Sequence, residues 1–350
     1  MQRKFKIDIS FIKELKDNLL LYDPSNIDIE RLDILIRKLE NNFEVDDTND
    51  KSLNNLRDNL EYYNDFKHLY KIVRKFASTG MYIDSIATPT YNVQHLSNEE
   101  CLALANDFFK NQGDFFYQKF YDFYKDADSH LEFISPNNST DGEIHYFNSY
   151  NEAFVFVPNH DNFTKASILI HECEHVIDSF NNPNFYNNLI IREVAAIFME
   201  MIGVGYLGNQ LNLSDAPYMR RLSLHSIVKL DAYTIFLKNQ LLYLINENKR
   251  LNDKKLKRIL YDKYNMSYKF IEFCNQYNLY EDYYYQISQL IAIELFDLYN
   301  KDKDKALYIL KDIIMNGTDD NIFAILDKYN IVLIEHVEQY EDELCKKLSI

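Results

Sequence analysis

Between Leu53 and Phe76 apolar residues recur every three or four positions, at Leu53, Leu56, Leu60, Tyr63, Phe66, Tyr70, Val73 and Phe76. That is the period of a helix burying one face. The pattern breaks at Thr79-Gly80 and stays broken through Thr88-Pro89-Thr90, where Gly and Pro both oppose helix. Ser97 and Glu100 then have the Ser-x-x-Glu spacing of a capping box, and an apolar-rich stretch runs on to Tyr124. Residues 1–96 thus read as an N-terminal helical region, and residues 97–350 as the unit that carries the chemistry.

From Ser135 to Asp161 the pattern changes. Pro136-Asn137-Asn138-Ser139 and Asp141-Gly142 mark turns around short β-prone pieces, the best being Ala153-Phe154-Val155-Phe156-Val157, stopped by Pro158. After Asn162 the helical period resumes almost to the C-terminus, interrupted near Asn181-Asn182-Pro183-Asn184 and Asp215-Ala216-Pro217. No internal repeat or low-complexity linker is visible. The fold class is mainly α, with a small sheet directly before a long helix beginning near Asn162.

Composition narrows the function classes. At 350 residues, 47% hydrophobic and 26% charged, the chain belongs with globular proteins and can bury a substantial core. Only 7 Gly and 6 Pro favour long helices. A net charge of −16 repels phosphate backbones, so nucleic acid is excluded as an expected partner. No apolar run reaches the roughly 18 residues of a membrane span, and Met1 to Pro24 mixes Lys13, Glu14, Lys16 and Asp17 into its apolar residues, unlike a secretory signal. A cytoplasmic location is the default expectation. Cys101, Cys173, Cys274 and Cys345 are widely spaced and form no CxxC pair, which suggests small buried thiols rather than disulfides or a cysteine metal site.

The candidate chemistry lies on that long helix. His171 and His175 are four apart, about 400° of helical rotation, so both project from one face and can share a metal. Glu172 beside them is placed to act as general base on a water activated by that metal. Ser167-Ile168-Leu169-Ile170 and Val176-Ile177 supply the residues that bury the helix. A catalytic zinc takes three protein ligands and keeps one position open. The next helix reads Ile190-Ile191-Arg192-Glu193-Val194-Ala195-Ala196-Ile197-Phe198-Met199-Glu200. Its two acids lie on nearly the same face but about 10 Å apart, so one can ligate while the other supports. The 18 positions from His175 to Glu193 let the first helix end, turn and return antiparallel. A ligand histidine usually donates its second ring N–H to an oxygen, and Asp178 and Glu200 are the nearest candidates.

These segments resemble the thimet oligopeptidase and oligoendopeptidase F metallopeptidases, particularly the oligoendopeptidase F branch. His171-Glu172-Cys173-Glu174-His175 is similar to that family's HExGH, and Glu193 to Glu200 to its E-V-A-S-x-x-N-E helix. Tyr283-Tyr284-Tyr285-Gln286-Ile287-Ser288 is similar to F-Y-V-Y-Q-Y-A, with Asn316-Gly317-Thr318 where the family has a Gly-rich turn. The resemblance covers Ser97 to Val337. It implies a zincin-type metallopeptidase with Glu193 as third zinc ligand. It also implies that Tyr285 and Tyr283 line the cleft as neutral donors to the oxyanion or the substrate carbonyl, and that the strand before the site pairs with the substrate backbone. Four departures stand out: Glu174 replaces the glycine, the connection to the second helix is shorter, the family's histidine before the tyrosines is absent, with Tyr277 or its neighbours in that region, and, most conspicuously, the helical region before the motif is shorter than in the family.

The expected function is that of a zinc-dependent endopeptidase binding one Zn2+ and acting on peptides. The alternatives are a protease dedicated to one protein target and a non-catalytic peptide-binding relative.

Overall fold

In a computed structural model of the chain, the described residues are 4–43, 67–79, 95–137, 141–160, 162–182, 185–247 and 279–349, with 254, 255 and 258 between the last two stretches. The expected apolar stripe from Leu53 to Phe66, the break from Gly80 through Thr90, Asn138, Ser139, Pro183, Asn184, Cys274 and Tyr277 lie outside them. Tyr70, Val73 and Phe76, the rest of that stripe, form one face of a helix and pack into the core, Val73 and Phe76 fully buried.

Helices dominate. α1 (Ile9–Tyr22) and α2 (Asp28–Glu40) pair near the N-terminus, followed by α3 (Lys67–Ser78), α4 (Asn98–Lys110) and α5 (Asp114–Lys125). The capping box at α4 is formed in both directions: the Glu100 N–H donates to Ser97 Oγ at 3.2 Å, and the Ser97 N–H donates to Glu100 Oε2 at 2.7 Å. Three strands come next, β1 (Leu131–Ile134), β2 (Glu143–Phe147) and β3 (Glu152–Pro158), and then the long helices α6 (Phe163–Asn181) and α7 (Leu189–Gln210). α8 (Ala216–Glu247), α9 (Leu279–Lys301), α10 (Lys303–Asn316), α11 (Ile322–Lys328) and α12 (Val337–Leu348) follow. The expected mainly α class with a small sheet before the motif helix is what the structure has.

β3 lies in the middle of the sheet, parallel to β1 and antiparallel to β2. Alternate side chains of a strand face opposite ways. Val155 and Val157 therefore enter the main core, which also holds much of α6, α7 and α9, while Phe154 and Phe156 enter a second core with Ile12, Leu15, Leu32 and Leu35 of α1 and α2. Burial on both faces explains why the sequence of β3 is apolar without alternation.

α7 packs against α6 on one side and α9 on another. A Cβ at Gly203 of α7 would stand 3.0 Å from Ile170 Cδ1, so the glycine lets these two helices come close. At the start of α6 the buried Lys165 ammonium donates to Leu96 O, Asn98 Oδ1 and Asn159 Oδ1 at 2.8, 2.9 and 2.9 Å, tying the helix to α4 and to the end of the sheet. Cys101, Cys173 and Cys345 are buried free thiols, and burial pushes Cys101 up to about 12. Among the described residues no helix is long and apolar enough to cross a membrane.

Phe156 is fully buried between the sheet and the α1–α2 pair. Phe156→Ala is expected to reduce unfolding stability by about 3–5 kcal/mol, measured by urea denaturation. A loss under 1 kcal/mol would mean that the second core contributes little.

Candidate active site

α6 is capped by Asn162, whose side chain accepts from the Thr164 N–H at 2.9 Å. α7 has no such local cap. Asp319, just beyond the Asn316-Gly317-Thr318 turn, accepts from its Ile190 N–H at 2.9 Å, and Ser288 of α9 donates to Ile190 O at 3.0 Å. These contacts fix the first turn of α7 only three residues before Glu193.

Glu193 is buried and stands between the two histidines of α6. Its Oε2 is 3.7 Å from His171 Nε2 and its Oε1 is 3.7 Å from His175 Nε2. The imidazole rings are perpendicular, with centroids 4.8 Å apart. These separations are long for hydrogen bonds, but they are near the roughly 3.3–3.5 Å edges of a tetrahedron with metal–ligand bonds of about 2.0–2.1 Å. All three residues offer a ligand atom within 4.8 Å of the other two. Glu172, Glu193 and Glu200 are buried together, opposed by the guanidiniums of Arg192, 3.2 Å from Glu193, and Arg220, 2.9 Å from Glu200. Two imidazoles and a carboxylate converging in this way are compatible with one metal ion.

The second acid of α7 takes a different place. Glu200 Oε2 lies 3.2 Å from His171 Nδ1, and its Oε1 accepts from Ser167 Oγ at 2.5 Å and Arg220 Nη2 at 2.9 Å. Burial raises the carboxyl's proton affinity, but Arg220, His171 and Ser167 outweigh it and hold Glu200 at about 2. For His171 burial favours the neutral ring, yet Glu200, Glu172 and Glu193 carry it up to about 9. Asp178, the other candidate orienting group, is fully buried and pairs with neither histidine; burial pushes it up to about 7.

Glu172 faces a cleft of about 610 Å³. Its side chain lies against Gly142, where an added Cβ would come 2.4 Å from Oε1. Burial pushes Glu172 up to about 8, with Glu193 and Glu200 adding to the shift and His171 opposing it. Glu174, which replaces a glycine of the resembled motif, is completely buried, and neither of its oxygens has a hydrogen-bond partner among the described residues.

The tyrosines separate. Tyr285 is 44% exposed and lines the cleft, and the Glu193 carboxylate, then burial, push its hydroxyl well above the usual phenol range. Tyr283, expected beside it, is fully buried in the core and receives a hydrogen bond from Asn239. Residues two apart on a helix point about 200° apart, so both cannot face one cleft. The sheet brings a second correction. The strand expected to pair with substrate, β3, has both edges occupied; the cleft is lined instead by Glu143 and Ile144 of the edge strand β2.

Sequence reasoning missed Arg220, Ser167 and Gly142. Ser167 carried a readable signal, because it lies four residues before His171 on the same face. Gly142 read only as a turn, and Arg220 reaches the site from α8, a distant element that no local pattern announces.

No protein-family model matches the chain, and no curated protein matches it in sequence. Solved structures do match in shape. One is a Bacillus anthracis protein provisionally designated oligoendopeptidase F, with TM-score 0.56 and 14% identity, covering 98% of this chain and 68% of that one. Another is PZ peptidase A with an inhibitor, with TM-score 0.57 and 11% identity, covering 98% and 67%. The chain has an oligoendopeptidase F-like fold. It spans about two thirds of the length of each of these structures.

In metal-free protein the His171 imidazole is expected to titrate well above pH 7, followed by NMR. Glu200→Gln should lower that midpoint by at least one unit, since it removes a neighbouring negative charge. An unchanged midpoint would show that Glu200 does not govern His171.

Proposed function

We propose that this chain is a zinc-dependent endopeptidase that hydrolyses peptide bonds. The observation that carries the reading is the convergence of His171, His175 and Glu193, with Glu172 beside them and Tyr285 across the same cleft. Two imidazoles and a carboxylate are a donor set suited to catalytic zinc, and the peptidases among the structural neighbours support the class. Zinc held by these three residues supplies Lewis acidity that makes a water nucleophilic near neutral pH.

Each remaining group has a task that follows from its surroundings. Glu172 accepts the proton of the attacking water and passes it to the leaving amine. The positive charge of a bound zinc would lower Glu172 from where burial places it and leave a carboxylate able to take that proton. Gly142 leaves the space in which the Glu172 side chain lies. Glu200, fixed by Ser167 and Arg220, keeps His171 Nδ1 engaged so that Nε2 faces Glu193. Tyr285 stays protonated and donates to the substrate oxygen as negative charge develops on it. The substrate is a peptide lying in the cleft against the β2 edge.

Metal analysis together with mass-spectrometric cleavage of a mixed peptide library tests this assignment. His171→Ala and Glu193→Ala are expected to lose the metal and the activity together, whereas Glu172→Gln keeps the metal and loses turnover. Full zinc occupancy in Glu193→Ala would remove it from the ligand set, and near-normal turnover in Glu172→Gln would end its role as base.

Tyr285→Phe removes the donor and leaves the ring. Its expected effect is a fall in kcat of about 100 to 1000 fold with KM little changed. A rise in KM with kcat intact would assign the residue to substrate binding.

A further inference from the structure

The open edge of β2 is blocked part of the way along. The Tyr146 N–H donates to Tyr186 Oη at 2.8 Å, and the same hydroxyl donates to Tyr146 O at 2.6 Å. In an antiparallel strand a residue directs its N–H and C=O to the same side, and the side alternates from residue to residue. Both backbone groups of Tyr146 therefore face away from β3, and so do those of Ile144, two residues earlier. Ile144 lines the main cleft. The Tyr186 hydroxyl thus fills, on Tyr146, the two hydrogen bonds that an added strand would make there.

The tyrosine is held firmly. Arg31 of α2 lies over its ring, 3.6 Å from the centroid, and pairs with the buried Asp28 at 3.1 Å. Asp28 in turn accepts from the Ser149 N–H and Oγ at 2.9 and 2.7 Å. Tyr146 and Tyr186 line a second cavity of about 310 Å³, together with Asp28, Arg31 and Ser149. Along β2 the strand thus passes from the main cleft at Ile144 to this second cavity at Tyr146, with Tyr186 at the boundary.

We propose that Tyr186 is a specificity-determining residue: it ends the substrate groove and limits the peptide to about three residues on one side of the scissile bond. The proposal rests on the peptidase reading above. Gly142, against Glu172, marks where the chemistry takes place. Tyr146 lies four residues further along, about 13 Å at roughly 3.3 Å per residue, which accommodates about three residues of extended substrate. Tyr186 lines the cavity beyond the stop, so removing its ring frees both outward backbone groups of Tyr146 for an added strand. The substrate class that fits is an oligopeptide with one short arm, from which the enzyme releases fragments of two or three residues.

Two peptide ladders test this, each built on one cleavable sequence and lengthened on the N-terminal or the C-terminal side alone. For the wild-type protein, kcat/KM is expected to fall at least 10-fold in one ladder once that side exceeds about three residues, and to stay level in the other. In Tyr186→Ala, with folding checked by thermal melting, the long-to-short ratio in the sensitive ladder should return to near one. Wild-type tolerance of lengthening on both sides overturns the proposal without reference to any variant. So does a length limit that persists in folded Tyr186→Ala. Failure to cleave any peptide would overturn the peptidase reading, and this inference with it; cleavage without a length limit overturns this inference alone.

Discussion

Glu193 holds its carboxylate 3.7 Å from two imidazoles on another helix, and that spacing lasts only while α6 and α7 keep their distance and register. The contact of Gly203 with Ile170 sets the distance. Register comes from Asp319 and Ser288, which hold the first turn of α7 from two other parts of the chain. The site is therefore made by helix packing rather than by loops, and its precision is that of a close-packed core.

Burying so many ionisable groups is costly unless each finds a counter-charge. Arg192 and Arg220 supply part of that compensation, and their placement differs in kind. Arg220 secures the carboxylate that faces the back of His171, while Arg192 touches Glu193 itself. Glu174 and Asp178 are handled by a different physical route: burial raises both and so lessens the charge they add to the interior.

The helical period marks α4, α6 and α7, and the spacing of His171, His175 and Glu193 on two successive helices is enough to predict that they converge. Those features are local, or lie on two successive helices, where rotation per residue and turn length do the geometry. The division of labour between Glu193 and Glu200 was legible only as a choice, because seven residues along a helix separate two positions without saying what faces either. The family likeness places Tyr283 in the cleft, but its two-residue offset from Tyr285 turns it about 200° round α9 and into the core. Strand order was not legible at all. The apolar sequence of β3 reports that both its faces are covered, whereas its central place depends on which strands pair with it, and β2 lies at an edge of the sheet.

β3 has an aromatic face as well as an aliphatic one. Phe154 and Phe156, with Phe147 from β2, form a contiguous apolar surface covered by α1 and α2. Were that helical pair to detach, the sheet would present this surface to water, and Arg31 over Tyr186 and Lys38 on Glu143 would leave the β2 edge with it. An exposed apolar surface of that kind is adhesive. The first two helices thus cover an apolar surface and brace one end of the β2 edge at the same time.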